Sequence, residues 1–158
     1  MVQSVIFSHD GLRDSLTQLA APPYLYESLR REISRSIRKS ADLSLLRFVL
    51  IGSGSSFESS LLHFADLLTK SFRLEDLAAR VGESEFVILV SGDSTVAKAL
   101  SDRFYESWQG QGIQSVDSSY SYATYMENEG ALEFLNRLDQ VKLIKSHTST
   151  DRYPHVQS

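Results

Sequence analysis

RLEDLAARVGESEFVILVS, residues Arg73 to Ser91, is the stretch that decides the fold. Leu77 to Val81 and Phe86 to Val90 are short runs rich in Val, Leu, Ile and Phe, joined by the polar link Gly82-Glu83-Ser84-Glu85. Two such runs around a short link containing Gly read as a β-hairpin. In the second run Phe86, Ile88 and Val90 share one face, and Val87 and Leu89 share the other. A strand apolar on both faces belongs inside a sheet, covered by helices on at least one side. Arg73 and Asp76 stand just ahead of the first run. A planar guanidinium fork beside a carboxylate suits a phosphodiester and a guanine edge. The Arg takes phosphate or the guanine acceptors, and the carboxylate takes the guanine N–H donors. A turn calls for polar residues, but not for this pair in this register.

Moving toward the C-terminus, Val96, Leu100, Phe104 and Trp108 mark a helix from about Ser94 to Gln109, ended by Gly110 and Gly112. Arg103 lies on it. Val116 to Tyr125 alternates with a strand's period and puts Val116, Ser118, Tyr120, Tyr122 and Thr124 on one face. Tyrosines there can stack on a base, though aromatic strand residues more commonly serve packing. Leu132, Leu135 and Leu138 mark a short helix, and a polar tail with Pro154 follows over 148–158.

Moving the other way, Phe57, Leu61, Ala65, Leu68 and Phe72 give a helical stripe. His63 on that helix has no second ligand at HxxxH spacing, and neither do His9, His147 and His155, so no metal ligand is assigned. Leu45 to Ile51 is a nearly continuous apolar run and reads as a buried central strand. It runs into Gly52-Ser53-Gly54-Ser55-Ser56, which lacks the GxxxxGK[ST] pattern of a phosphate loop and reads as a plain turn. Pro22-Pro23 opens an earlier helix whose apolar stripe is expected at Leu25, Leu29, Ile33 and Ile37, to about Lys39. Arg30, Arg31, Arg35, Arg38 and Lys39 make its other face basic. That face reads first as solvated and second as an anion-facing stripe.

The chain of 158 residues suits one domain over 1–147 plus the tail. Hydrophobic residues at 42% and charged residues at 23% are ordinary for a globular protein. A net charge of −4 argues against nucleic-acid binding by bulk electrostatics. There is no Cys, hence no disulfide or thiolate metal site. No apolar run approaches the roughly 20 residues that span a bilayer. The polar Ser8-His9-Asp10 argues against a signal peptide, so a cytoplasmic location is expected.

The block Arg73, Asp76, the five spacers Leu77 to Val81 and then Gly82-Glu83-Ser84-Glu85-Phe86 resembles the GGDEF family, the diguanylate cyclase domains. Their pattern is RxxD, five residues, GGDEF and an apolar strand. Asp14-Ser15-Leu16-Thr17-Gln18-Leu19 is similar to the family's DxLTGLxNR opening, with Gln18 at the Gly position and Ala21-Pro22 in place of NR. The resemblance runs from Asp14 to about Lys145. It implies an α/β (α+β) sandwich with a mainly antiparallel central sheet flanked by helices, related to the ferredoxin-like nucleotide-cyclase core. It also implies that Arg73 and Asp76 are the inhibitory site that binds cyclic di-GMP, joined by Arg103. Gly82 to Phe86 then form the active-site turn.

In that turn Glu83 replaces the second Gly and Ser84 replaces the first acid. The strand ending near Ile51 lacks the family's metal-binding Asp, and the DxxFKxxND segment is missing. Cyclising GTP needs metal ions held by carboxylate oxygens, and Glu85 alone does not make that site. The implied protein is therefore a degenerate, catalytically inactive GGDEF domain, with no catalytic residue, metal or cofactor. It would act as a cyclic di-GMP receptor in bacterial second-messenger signalling of the biofilm kind and signal to a protein partner or neighbouring domain, with a homodimer as one form. Two readings compete with it. In one, Arg73 and Asp76 form only a local pair, worth about 0–1 kcal/mol at a surface, in an interaction module that binds no nucleotide. In the other, Glu83 replaces the missing acid in a residual enzyme.

Overall fold

The computed structural model describes residues 6–52, 54–113 and 116–145. The tail over 148–158, together with His147 and His155, lies outside them. The element order is α1 (Pro22–Lys39), β1 (Leu43–Gly52), α2 (Phe57–Ser71), β2 (Leu77–Arg80), β3 (Glu85–Ser91), α3 (Ser94–Gln109), β4 (Val116–Thr124) and α4 (Ala131–Gln140). The strands form one antiparallel sheet in the order β2-β3-β1-β4.

Alternation along the inner strands builds two cores. Leu46, Phe48 and Leu50 of β1 and Phe86, Ile88 and Val90 of β3 face α2 and α3. Leu43 and Leu45 of β1 and Val87 and Leu89 of β3 face α1 and α4. The hairpin's second strand is thus interior and covered on both faces, as its two-sided apolar pattern requires. Phe64 of α2 organises the first core, with its ring centroid 5.0 Å from Phe86, 5.1 Å from Phe104 and 4.9 Å from Trp108. Such pairs add about 0.5–1.5 kcal/mol each beyond their buried area.

Helix α1 starts where expected. Pro22 and Pro23 occupy its first turn, where a missing N–H leaves no bond unmade. It ends at Ser40 in the left-handed region, whose N–H and that of Ala41 return to the Ile37 and Ser36 carbonyls. The expected stripe fails at its last member. Leu25, Leu29 and Ile33 are buried, but Ile37 is 62% exposed. Four residues advance a helix by about 40° more than one turn, so an i+4 ladder rotates off the buried face after about three steps.

Gly92 joins β3 to α3 at φ +136°, and a Cβ there would stand 2.6 Å from a Val96 methyl. The tight passage lets Asp93 cap α3, its carboxylate accepting from the Thr95 and Val96 N–H groups. Each sheet edge carries an isolated bridge. Ala20 bridges Ala79 on β2, and Ile144 exchanges backbone hydrogen bonds with Tyr120 on β4. Among the described residues no helix is long and apolar enough to cross a membrane.

Candidate functional site

The RLED sequence forms the turn between α2 and β2. Asp76 closes it, its Oδ2 accepting from the Arg73 N–H at 3.1 Å while its own N–H donates to the Arg73 carbonyl at 3.0 Å. The Asp76 side chain is only 5% exposed. Asp76 thus holds the turn shut through a local side-chain hydrogen bond, the kind of contact the local-pair reading expects. Arg73 differs. Its side chain is 68% exposed, and its Nε stands 3.7 Å from both Glu75 Oε1 and Asp76 Oδ2, too far for a hydrogen bond. The guanidinium faces solvent at the rim of a cleft of about 320 Å³ that Asp76 also lines. That volume lies at the small end of ligand pockets. Arg103 is exposed on α3 and is not among the residues lining this cleft, although the next residue, Phe104, packs its ring 5.8 Å from that of Phe72, which does line it.

The second motif lies at the other end of β2. The GESEF turn is held by backbone and by Arg side chains: Val81 N–H donates to Glu85 O at 2.9 Å, Leu50 N–H of β1 to Ser84 O at 2.9 Å, and Arg80 Nη2 to Glu83 O at 2.7 Å. Glu83 is exposed, and Phe86 is fully buried beneath the turn. Glu85 does not stand free. Arg47 on β1, two residues before Val49, the cross-strand partner of Glu85, donates Nε to Glu85 Oε2 at 2.7 Å, and Asp139 of α4 lies 3.7 Å from the same Nε. The Arg47 guanidinium thus puts its positive charge beside Glu85. Among the described residues no three His, Asp or Glu side chains gather as a metal site would require.

Sequence reasoning misses one buried pair. Arg80 reads as one of five spacers, yet its side chain and that of Asp14 are both 0% exposed, with Nη1 3.0 Å from Oδ1. Asp14 also accepts from the Thr17 N–H and hydroxyl, at 2.7 and 2.8 Å. The signal is there: an Arg inside the apolar run LAARV, next to an Ala that packs inward, has to be paired. Elsewhere His63 shares a 2.9 Å hydrogen bond with Gln111, consistent with a surface role. Tyr120 serves packing, buried against Tyr105 and Phe48 and donating to Asp102 at 2.6 Å. Burial first, and that hydrogen bond second, push its phenol pKa up.

This architecture is that of GGDEF domains. The GGDEF domain of DgcB from Caulobacter crescentus, solved in complex with c-di-GMP, superposes with a TM-score of 0.74 at 15% identity, covering 87% of this chain and 88% of that one. The diguanylate cyclase SiaD from Pseudomonas aeruginosa, solved with its activator SiaC, gives 0.72 at 24% identity, covering 80% of this chain and 55% of SiaD.

In sequence the chain is 30% identical over 104 residues to the diguanylate cyclase DgcS of Shewanella oneidensis. That match covers 61% of the chain, which spans 35% of the length of DgcS. No protein-family model matches the chain. Fold and comparisons together support a GGDEF diguanylate cyclase-like domain.

Proposed function

We propose that this chain is a GGDEF domain that no longer cyclises GTP and instead receives cyclic di-GMP at the RLED cleft, passing occupancy to a partner protein or neighbouring domain in the cytoplasm. The observation that carries this reading is the contrast between the two ends of β2. At the GESEF turn Glu85, the acid at the family's Glu position, is held by Arg47 at 2.7 Å. At the RLED turn the Arg73 guanidinium is 68% exposed above a cleft that a ligand can enter. A divalent cation needs several free carboxylate oxygens, and of the turn's two acids Glu85 is already shared with a guanidinium while Glu83 stands exposed. A phosphodiester needs an accessible fork of N–H donors, which Arg73 has.

The complex of DgcB with c-di-GMP lends weight to the ligand, and the SiaD–SiaC complex lends weight to a protein partner. The test has two arms. Calorimetric titration with cyclic di-GMP should give saturable heat, and Arg73→Ala should weaken binding by about tenfold or more, as loss of a charge-assisted contact of about 1.5–3 kcal/mol requires. Incubation with GTP and Mg²⁺ or Mn²⁺ should give no product above a protein-free control. Steady product formation that Glu85→Ala abolishes would restore the enzyme reading.

A second reading draws on Asp76. Because that carboxylate already closes its own turn, the RLED pair has a structural reason to exist without a nucleotide. On this reading the domain is an interaction or dimerisation module. Absence of heat with cyclic di-GMP at high micromolar concentration is the result it requires.

A further inference from the structure

We infer that Arg13 and Tyr24 form the second wall of the RLED cleft, and that Arg13, not Arg103, supplies the second cation for a guanine phosphodiester bound there. The inference deepens the receptor reading and rests on it.

Both residues line the same cleft as Arg73 and Asp76 but arrive from a distant part of the chain. Backbone pairing brings them there. Ala20 N–H donates to Ala78 O at 3.1 Å and Arg80 N–H to Ala20 O at 3.0 Å, stitching the segment around Arg13 and the start of α1 to the edge of β2. The Arg13 guanidinium lies over the Tyr24 ring, 5.8 Å from its centroid. An exposed contact of that kind contributes about 0.5–1 kcal/mol, enough to bias where the guanidinium rests. It leaves the N–H edges open, since among the described residues the Arg13 side chain has no acid within ion-pair distance.

The cleft then offers guanidinium groups from two walls, a half-buried ring, one carboxylate and an apolar floor that includes Leu19, Leu68 and Ala78. Each element matches part of a guanine nucleotide diester. An apolar floor and an aromatic edge suit the base, a carboxylate suits its N–H donors, and forked cations suit the phosphate. Arg103 is exposed and outside the lining, and an exposed charge that does not touch the ligand is screened by salt.

Titration of wild type, Arg13→Ala, Tyr24→Leu, Arg73→Ala and Arg103→Ala with cyclic di-GMP, at two salt concentrations, tests the assignment. Arg13 is exposed and Leu keeps the apolar body of Tyr24, so all variants should keep the wild-type circular dichroism and melting curve. Expected are a loss of about tenfold or more for Arg13→Ala with a shallower salt dependence, a smaller loss for Tyr24→Leu, and a change within about twofold for Arg103→Ala. If Arg73→Ala weakens binding while Arg13→Ala stays within about twofold of wild type, the inference falls and the receptor reading stands. The inference also falls, with the receptor reading intact, if Arg103→Ala costs as much as Arg73→Ala. If wild type itself gives no heat at high micromolar ligand, the receptor reading falls and the inference falls with it.

Discussion

Removing the Asp14 carboxylate should be among the most damaging single changes in this chain. Arg80 and Asp14 are fully buried. Arg80 Nη1 donates to Asp14 Oδ1 and Oδ2 at 3.0 and 3.2 Å and to Ile6 O at 2.9 Å, and Nη2 donates to Glu83 O at 2.7 Å. Asp14→Ala leaves a buried guanidinium with neutral carbonyls as its acceptors. Breaking a buried pair from one side costs about 3–5 kcal/mol, because the partner's charge is left uncompensated. Arg80→Met should fall toward the lower end of that range. The orphaned Asp14 keeps its hydrogen bonds from Thr17, and a carboxylate can escape its charge by taking up a proton. The double variant Asp14→Ala/Arg80→Met should cost less than the sum of the singles by about 0.5–3 kcal/mol. Urea denaturation followed by circular dichroism measures all three, with the slope against denaturant unchanged if the unfolded state is unaffected. A cost for Asp14→Ala below about 1 kcal/mol, or strict additivity in the double variant, would refute the claim that these charges depend on one another.

Ile88 and Leu89 of β3 face opposite cores, and both are almost completely buried. Each should lose about 2–5 kcal/mol on substitution by Ala, read as a shift of the denaturation midpoint, and a shift under half a kcal/mol at both would place β3 at an edge instead. A pH prediction rests on Glu129. Arg137 grips it with Nε to Oε2 at 2.6 Å and Nη2 to Oε1 at 2.8 Å, and that hydrogen bonding lowers the Glu129 pKa below its ordinary 4.5. A carboxyl whose folded pKa is depressed adds stability above its unfolded pKa and loses it as pH falls through the folded one. Wild type should therefore lose stability below about pH 4.5 more steeply than Glu129→Gln, and identical acid limbs in the two thermal-melt profiles would contradict the assignment.

What the sequence makes legible follows period and composition. The hairpin, the interior place of its second strand and the extent of α3 all rest on runs of apolar residues whose spacing repeats, and burial on both sides of the sheet enforces that spacing. Ile37 escapes because a four-residue ladder drifts around a helix, which a run of apolar positions does not display. The candidate site is legible only where both partners are close in the chain. Arg73 and Asp76 are three residues apart, and their turn is local. The pairs Arg80–Asp14 and Arg47–Glu85 join residues 66 and 38 positions apart. Strand register sets such contacts, and register is not readable from one strand alone. Arg13 and Tyr24 come to the cleft in the same way, through the edge pairing of Ala20 with β2.

The two motifs sit at opposite ends of β2, a strand of four residues that spans about 13 Å. Along that distance the charged groups change their allegiance. Near the GESEF turn they are matched inside the protein, Arg80 to Asp14 and Arg47 to Glu85, and hydrogen bonds from Leu50 and Arg80 hold the turn's backbone. A cation entering there would meet the positive charge of Arg47, whose Nε stands 2.7 Å from Glu85 Oε2. Near the RLED turn Asp76 accepts from the Arg73 N–H, and the Arg73 guanidinium is 68% exposed, 3.7 Å from Glu75 and Asp76 and outside hydrogen-bond distance of both. On the proposed reading, an anion arriving at that end meets exposed guanidinium groups at a cleft and a turn that is already closed. The same strand thus ends beside a paired Glu85 on one side and beside an exposed Arg73 on the other. That asymmetry, more than the presence of the letters R and D in register, is what the proposed receptor reading rests on, and the two-arm test with cyclic di-GMP and GTP decides it.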